Sequence, residues 1–582
     1  MKNKAVQHNR ELAEIFSKMA DIYRYMGTAE RFRALAYKKA AQVIAGLPRD
    51  IEEYCKEGTL DEISGIGEHT AERITEFLKT KRISTFEELK RKVPFELLEL
   101  MEVSGIGPQT LKKIHEELGI QTKEEFIKAL ENGTIAQLKG FGAKKTENIR
   151  RGLKLHKTIE ERMLLSDALE TGGLILSDIK KIKGVHQAEL AGSLRRMKET
   201  IGDIDILVSA DSKARMQIIK AFTSSALSSK TLAAGDTKAS IILKNSGRQA
   251  DLRIVADDEW GAALLYFTGS KEHNVHLRTI AAKKGFKISE YGLFSSKSNR
   301  RIAAEKEEDI YSGLGFQFIP PELREDKGEL ELAFKKQLPE LVTLSDIRGD
   351  LQMHSTYSDG SQSIAEIAAY VRKHFSYEYI VITDHSQSSA FVNGLDEKRL
   401  LKQMKEIDRL NEKAGDTFIK KGIEVDILPD GSLDIDDEIL AQLDWVTAAI
   451  HSNFKHDNTE RILRACENPY VKCIGHPTGR LIGSRAPYAL DFETVVKQAL
   501  HTNTALEINA QPERLDLNDE MAKYAREKGV KLVISTDAHH LSQYDYMKLG
   551  VAVARRAWCT KEHILNTKSW KEIIRTTQKK IK

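Results

Sequence analysis

The chain has 582 residues, enough for several domains rather than one. Charged residues make up 30% and aromatics 7%, ordinary for a soluble globular protein, and no apolar run approaches membrane-spanning length. A formal net charge of only +4 excludes a uniformly basic nucleic-acid binder, and four cysteines (Cys55, Cys466, Cys473, Cys559) in no CxxC pattern exclude a disulfide framework.

The opening stretch MKNKAVQHNRELAEIF has no apolar core of a leader peptide, so a cytoplasmic protein is expected. Residues 1 to about 80 read as helices: Ile15, Met19, Ile22, Tyr23 and Met26 recur at helical spacing, and Arg33 to Ile44 form a basic amphipathic segment. A short unit then repeats, as Ile63-Ser64-Gly65-Ile66-Gly67, Val103-Ser104-Gly105-Ile106-Gly107 and Leu138-Lys139-Gly140-Phe141-Gly142. Each is followed by a helix rich in Lys, Arg or Thr. Paired glycines allow a tight turn with exposed backbone N–H groups, and the next helix starts there with its positive dipole end. That combination binds phosphate without reading bases. Lys112-Lys113, Lys144-Lys145 and Arg150-Arg151 add local positive charge, and the units resemble helix-hairpin-helix motifs.

The centre of the chain carries Gly192-Ser193-Leu194-Arg195-Arg196 and then Gly202-Asp203-Ile204-Asp205-Ile206-Leu207-Val208. Side chains alternate along a strand, so Asp203 and Asp205 share one face while Ile204 and Ile206 enter a core. Adjacent carboxylates repel unless a cation sits between them, and hard cations such as Mg²⁺ take carboxylate oxygens. A third carboxylate, Asp251, lies on the strand-like run Gln249 to Val255 and completes a set for two metals. The Gly-Ser turn offers N–H groups and a hydroxyl to a phosphate, and Arg195 and Arg196 add charge-assisted contacts. A metal-dependent nucleotidyl-transfer site is expected.

These residues, with the ADLRIV strand and Tyr266-Phe267-Thr268-Gly269-Ser270, resemble the palm and thumb of DNA polymerase family X, the polymerase beta group. The resemblance implies Asp203, Asp205 and Asp251 as a catalytic triad holding two Mg²⁺ or Mn²⁺ ions. It implies nucleotide contacts from Gly192, Ser193, Arg196, Tyr266, Phe267, Gly269, Asn274 and Arg278. Tyr266-Phe267 match the sugar-discriminating pair, and Asn274 and Arg278 match residues facing the nascent base pair. It also implies backbone contacts to DNA at Gly65, Gly67, Gly105, Gly107, Gly140 and Gly142. Where the family's small lyase domain has a Schiff-base lysine, this chain has Arg73, whose guanidinium stays protonated and is no amine nucleophile. That domain is expected to grip the 5′-phosphate side of a gap, with Lys38, Lys39 or Lys79 only weak substitutes.

Pro320-Pro321 and the charged stretch Glu322 to Glu340 read as a connector. Beyond Asp346 the segments alternate strand-like and helix-like, and ten of the 17 histidines lie after residue 350. Ligand-type residues sit at the ends of successive apolar runs: Gln352-Met353-His354 with Asp359, Asp384-His385, Glu424-Val425-Asp426, His451, His476, and Asp537-Ala538-His539. Such ends converge on one rim of a β/α barrel, where barrel enzymes place catalysis, and mixed imidazoles and carboxylates suit Zn²⁺ or Mn²⁺. His374, His456, His501, His540 and His563 fall outside the pattern and read as solvent or packing residues.

This array resembles the PHP (polymerase and histidinol phosphatase) family, a distorted (β/α)7 barrel holding up to three metal ions, here Mn²⁺ or Zn²⁺. The implied ligands are His354, Asp359, His385, Glu424, His451, His476, Asp537 and His539, with Gln352 where the family motif has a histidine. The expected fold is thus multidomain, α+β and α/β, in six parts. They are a helical lyase-like domain (1–80), a fingers region with helix-hairpin-helix motifs (81–154), a nucleotidyltransferase palm (155–260), a thumb (261–319), a linker (320–345) and the PHP domain (346–582). The resemblance implies a monomeric gap-filling DNA polymerase acting on gapped or primer-template DNA with dNTPs, joined to a 3′–5′ exonuclease that also cuts at abasic sites. The alternative is a polymerase whose barrel is only structural. A small-molecule phosphoesterase on a DNA-binding arm fits less well, because an arm has no use for three aspartates.

Overall fold

The computed structural model describes residues 7–45, 50–63, 65–103, 106–142, 145–147, 149–150, 153, 162–389 and 392–578. Gly105, Lys144 and Arg151 therefore lie outside the described residues. Among those described, no helix is long and apolar enough to cross a membrane.

The N-terminal helices Gln7–Met26 and Arg31–Ala45 pack on each other through Phe16, Met19, Tyr23, Tyr37 and Ile44. The same apolar cluster runs on through Ile74 and Phe77 to Leu111, Ile114, Phe126 and Phe141, so residues on both sides of position 80 share one core. The first two repeats are built alike. Gly67 (φ −88°, ψ 170°) caps the helix Glu68–Thr80, and Gly107 (φ −89°, ψ 170°) caps Pro108–Leu118, neither with a side-chain partner. Gly65 (φ +95°) and Gly140 (φ +88°) occupy the left-handed region that glycine tolerates.

Next come β1 (Met163–Leu164), β2 (Val185–Leu190), β3 (Thr200–Ile201), β4 (Asp203–Ala210), β5 (Ser228–Ala234), β6 (Lys238–Leu243) and β7 (Gln249–Val255). Five of them form a sheet in the order β2-β4-β7-β6-β5, with β4 parallel to β7. Ile204, Ile206 and Val208 face the helices Leu165–Lys180 and Arg215–Thr223, while Leu207 packs under the helix Trp260–Thr268. The alternation expected for Asp203-Ile204-Asp205-Ile206 therefore holds.

The strands β8 (Phe286–Ser289), β9 (Gly292–Ser295) and β10 (Arg301–Ala303) form a small antiparallel sheet beyond the helix Lys271–Lys283. Residues 320–345, expected as a linker, are instead packed into this unit. Leu323, Leu330, Ala333 and Leu341 join its core, and Arg324 and Glu329 are fully buried. Their partners explain the burial. Arg324 Nη1 meets Glu307 at 2.6 Å, and Glu329 pairs with His273 Nδ1 at 2.6 Å. Arg195 holds the other side of Glu307, at 2.9 and 2.7 Å. Burial works against the charge of Glu307, but Arg324 and Arg195 outweigh it and hold its pKa down at about 2. Because that value lies below an unfolded carboxyl's, the stabilisation is present above pH ~4.5 and is lost as pH falls toward 2. Glu307→Gln should therefore cost about 3 kcal/mol at neutral pH, leaving the buried Arg324 and the partly buried Arg195 without their carboxylate. In denaturant titrations the gap between wild type and variant should close between pH 4.5 and 2. A pH-independent gap would mean that packing, not charge, sets the loss.

The C-terminal region is one parallel sheet of seven strands in sequential order. These are β11 (Gly349–Asp350), β12 (Tyr379–Ile382), β13 (Ile419–Asp426), β14 (Trp445–Ala449), β15 (Cys473–Ile474), β16 (Ala505–Asn509) and β17 (Leu532–Ser535). A parallel bridge between Met353 and Ala538 and a hydrogen bond from His354 N to Ala538 O (2.9 Å) join the first strand to the last. The sheet thus closes at the carboxyl ends of its strands into a nearly complete (β/α)7 barrel.

Candidate active sites

In the palm, parallel register sets Asp205 beside Asp251, and the ligand oxygens of Asp203, Asp205 and Asp251 lie within 4.8 Å of one another. Burial, and then the charges of Asp203 and Asp251, push the Asp205 carboxyl up to about 7, against the pull of Arg196 and Arg253. A carboxylate so placed gains by binding a cation. Two residues not expected from the sequence hold Asp251: the Ser240 hydroxyl donates to Oδ1, and Gln249 Nε2 reaches both oxygens at 3.1 and 2.9 Å. Both lie on the paired strands β6 and β7, where only strand register could reveal them.

Gly192 has φ +61°, and a Cβ there would lie 2.2 Å from Asp205 Oδ2, so no other residue fits between the turn and the carboxylate. Ser193 follows it on the same short turn, Gly192–Arg195. The two arginines part company. Arg195 is committed to Glu307 and to the Thr268 hydroxyl (2.7 Å), which corrects its expected phosphate contact. Arg196 stays beside the aspartates, its Nη1 donating to Thr268 O (2.6 Å) and its Nε to Glu325 (3.1 Å). Tyr266 and Phe267 meet edge to face at 5.2 Å, and Gly269 (φ +72°) ends their helix. Asn274 Nδ2 donates to Tyr266 O (2.8 Å) and Arg278 Nε to Asn274 O (3.2 Å), so these residues form one connected surface.

At the barrel rim, His354, Asp359, His385, Glu424, His451, His476, Asp537 and His539 come together. Glu424 on β13 is the hub: His385 Nδ1 lies 3.2 Å and His354 Nε2 3.4 Å from Oε2, while His476 Nε2 (3.0 Å) and His451 Nε2 (3.4 Å) face Oε1. Asp537 approaches His354 at 2.9 Å, and Asp359 approaches His539 at 3.4 Å and His385 at 3.8 Å. Three overlapping groups have ligand atoms within 4.8 Å: His354/Asp359/His385/His539, His385/Glu424/His451 and His354/Glu424/Asp537. Two ligand positions are strained, His476 at φ +26° and Asp537 at φ +50°.

The site fits metal ions on its own chemistry. His354 Nδ1, His385 Nδ1, His476 Nδ1 and Glu424 Oε2 are buried without a hydrogen-bond partner, and so are both amide atoms of Gln352. Such groups are costly unless a cation or proton satisfies them. Burial opposes charge on His451 and His539, but Asp426 and Glu424 for the one and Asp359 and Asp537 for the other outweigh it, holding both near 10. Burial dominates at His385 and takes it down to about 4. A rim that must hold protons to balance its carboxylates is poised to exchange them for metal.

The residues that support the rim include Asp426, already named from the sequence, and Glu507 and Asn509, which the sequence reading did not single out. Asp426, two positions from Glu424 on the same strand face, orients His451 through Nδ1 at 2.7 Å. Glu507 accepts from His476 N (2.5 Å), and Asn509 Nδ2 donates to Asp537 (3.0 Å). The alternation Glu507-Ile508-Asn509 was the available signal. Asp384 turns away from the rim to bind Ser355, Ser358 and Gln403. His374 packs at a tilt against Tyr370, His540 pairs with Ser542 and His563 accepts from Thr560 N, all apart from the ligand groups.

Residues 7–83 match the helix-hairpin-helix domain, residues 97–155 the SAM-like helix-hairpin-helix tandem and residues 263–325 the DNA polymerase beta thumb. The chain is 38% identical over 573 residues to the DNA polymerase/3′-5′ exonuclease PolX of Bacillus subtilis (strain 168), covering 97% of this chain and 98% of that protein. It is 28% identical over 346 residues to DNA polymerase lambda of Arabidopsis thaliana, covering 54% of this chain and 62% of that one. A protein named probable phosphatase in Thermoanaerobacter sp. (strain X514) is 33% identical over 187 residues, 30% of this chain and 74% of that one. Similarity at that level over nearly the whole length of a PolX, with the thumb and helix-hairpin-helix matches beside it, means that the chain belongs to bacterial DNA polymerase family X, the polymerase beta-like group with a C-terminal PHP domain.

Proposed function

We propose that this enzyme fills short gaps during DNA repair of the base-excision type and trims the 3′ end it extends. One observation carries the reading: a single chain holds two separate sets of metal-ready ligands, three aspartates on the palm sheet and a nine-residue rim on the barrel. Asp203, Asp205 and Asp251 would hold two Mg²⁺ or Mn²⁺, and Gln352, His354, Asp359, His385, Glu424, His451, His476, Asp537 and His539 up to three Mn²⁺ or Zn²⁺. Bound there, the ions neutralise phosphate oxygens and act as Lewis acids.

The chain's own residues do the rest. Gly192, Ser193 and Arg196 cradle the dNTP phosphates at the turn beside Asp205. Tyr266, Phe267 and Gly269 form the floor for the sugar, and Asn274 and Arg278 face the base pair. Gly65, Gly67, Gly107, Gly140 and Gly142 present backbone N–H groups to DNA phosphates, with Gly105 the matching position outside the described residues. Arg73 is stacked over Tyr37 at 5.7 Å and donates to His69 O (2.5 Å), which suits a gripping role at a 5′ phosphate better than amine chemistry. Cleavage at abasic sites, a cytoplasmic location and action as a monomer complete the reading.

A labelled primer on one-nucleotide-gapped and on open templates, with Mn²⁺, tests it. Extension should favour the gap by about tenfold, because the N-terminal glycine turns gain phosphate contacts downstream. Without dNTPs the same primer should shorten from its 3′ end. Equal use of both templates would remove gap filling, and a primer never shortened with Mn²⁺ or Zn²⁺ would leave the barrel a structural module.

A further inference from the structure

The PHP barrel grips the polymerase's phosphate turn. The helix Met547–Arg556 packs so closely on the barrel sheet that a Cβ at Gly550 would lie 2.3 Å from Ile534 Cγ2, on β17. At its end Arg556, almost fully buried, reaches across to the palm. Its Nη1 donates to the backbone carbonyl of Arg196 (2.8 Å) and to Glu325 Oε1 (3.0 Å), and its Nη2 to Asp519 Oδ2 (2.7 Å). Glu325 Oε1 is the same oxygen that accepts from Arg196 Nε. A second barrel residue, Arg480, donates to Glu199 Oε2 (2.7 Å), three residues further along the turn.

We infer that Arg556 is a positioning residue for nucleotide binding in the palm: it shares Glu325 with Arg196 and so keeps the Arg196 guanidinium both oriented and electrostatically available to the dNTP triphosphate. This rests on the reading of Arg196 as a triphosphate ligand. With Arg556 absent, Glu325 and Arg196 form a closed, neutral pair, and an incoming triphosphate must compete with a carboxylate for the same cation. With Arg556 in place, Glu325 Oε1 is shared between two guanidinia, so Arg196 is no longer its only cationic partner. Two nitrogens of Arg196, Nε and Nη1, are then held by Glu325 and Thr268 O, which leaves Nη2 to address a phosphate oxygen. Holding a long side chain in its working rotamer removes an ordering cost from binding. The barrel therefore contributes to nucleotide affinity from outside the palm.

Steady-state kinetics of the full chain on gapped DNA test this. Arg556→Gln should raise the KM for dNTP about tenfold, within the usual range of coupling between sites, with kcat within about twofold. Degradation of single-stranded DNA should stay within about twofold, because Arg556 is not part of the barrel rim. The discriminating variant is Arg556→Gln/Glu325→Gln. Removing the competing carboxylate should bring the KM back toward wild type, whereas an interface contact of purely structural value predicts a double variant worse than either single one. Should the Gln variant not fold, Arg556→Lys keeps the charge but not all three hydrogen bonds and should raise the KM about threefold. An unchanged KM in the folded variant, or a double variant worse than Arg556→Gln, overturns the proposal. If Arg196→Ala raises the KM and Arg556→Gln does not, only this inference fails. If Arg196→Ala leaves the KM unchanged, the phosphate reading beneath it fails as well.

Discussion

Asp205→Asn should lower primer extension on the order of a thousandfold and leave 3′-end degradation within about twofold. Asp205 is half-buried, as is Asp251, with which it stands in register, and it also lies against the Gly192 turn, so it joins the aspartate cluster to that turn. An amide there retains the shape and removes the negative charge. The cluster then has two carboxylates where two divalent ions need three, and the charge developing on the transferred phosphate is no longer balanced. The same substitution removes a charge that burial, and then repulsion from Asp203 and Asp251, disfavours, pushing the carboxyl up to about 7, so the fold should be as stable as wild type or slightly more so. Single-nucleotide incorporation, thermal unfolding and nuclease assays on one preparation check all three statements. Loss of both activities together would mean that the two sites do not act separately.

Glu424→Gln should do the reverse, abolishing degradation by a similar factor with extension within about twofold. Glu424 is the hub on which four imidazoles converge at 3.0 to 3.4 Å, and it belongs to two of the three ligand groups. Its charge is held well below the usual carboxylate range: burial opposes it, but His385, His451 and His476 outweigh burial. A neutral amide leaves those rings facing a partner that cannot bridge cations, so metal content should fall along with activity. Measuring bound Mn²⁺ and Zn²⁺ by elemental analysis separates loss of metal from loss of chemistry. Gln352→His offers the complementary gain. The amide of Gln352 is buried and unpartnered, and an imidazole there should increase retained Zn²⁺ after dialysis. If degradation survives Glu424→Gln, the rim is not the nuclease site.

Much of both sites was legible in the sequence because it follows from local rules. Alternation along a strand places Asp203 and Asp205 on one face whatever they pack against. Ligand-type residues at the ends of successive apolar runs must gather on one rim once parallel strands close, and His354, His385, Glu424, His451, His476 and Asp537 do so. Repeated Gly-x-Gly turns ahead of helices define their own caps, as the matching angles of Gly67 and Gly107 show.

What remained hidden depends on partners far away in the chain. Arg195 and Arg196 are neighbours of the same type, yet one is taken by Glu307 and the other by Glu325, more than a hundred residues on in each case. Pro320-Pro321 and the charges after it read as a solvated connector, but Arg324 and Glu329 are buried because Glu307 and His273 neutralise them. Charge in a sequence signals solvent only when no opposite charge comes to meet it. The sequence by itself therefore determined the strand faces, the helix caps and which ligand-type residues stand at the strand ends. The tertiary structure alone decided which charges are buried, which arginine stays beside the palm aspartates and that Arg556 of the barrel reaches the palm, since those outcomes turn on distances between segments that only folding brings together.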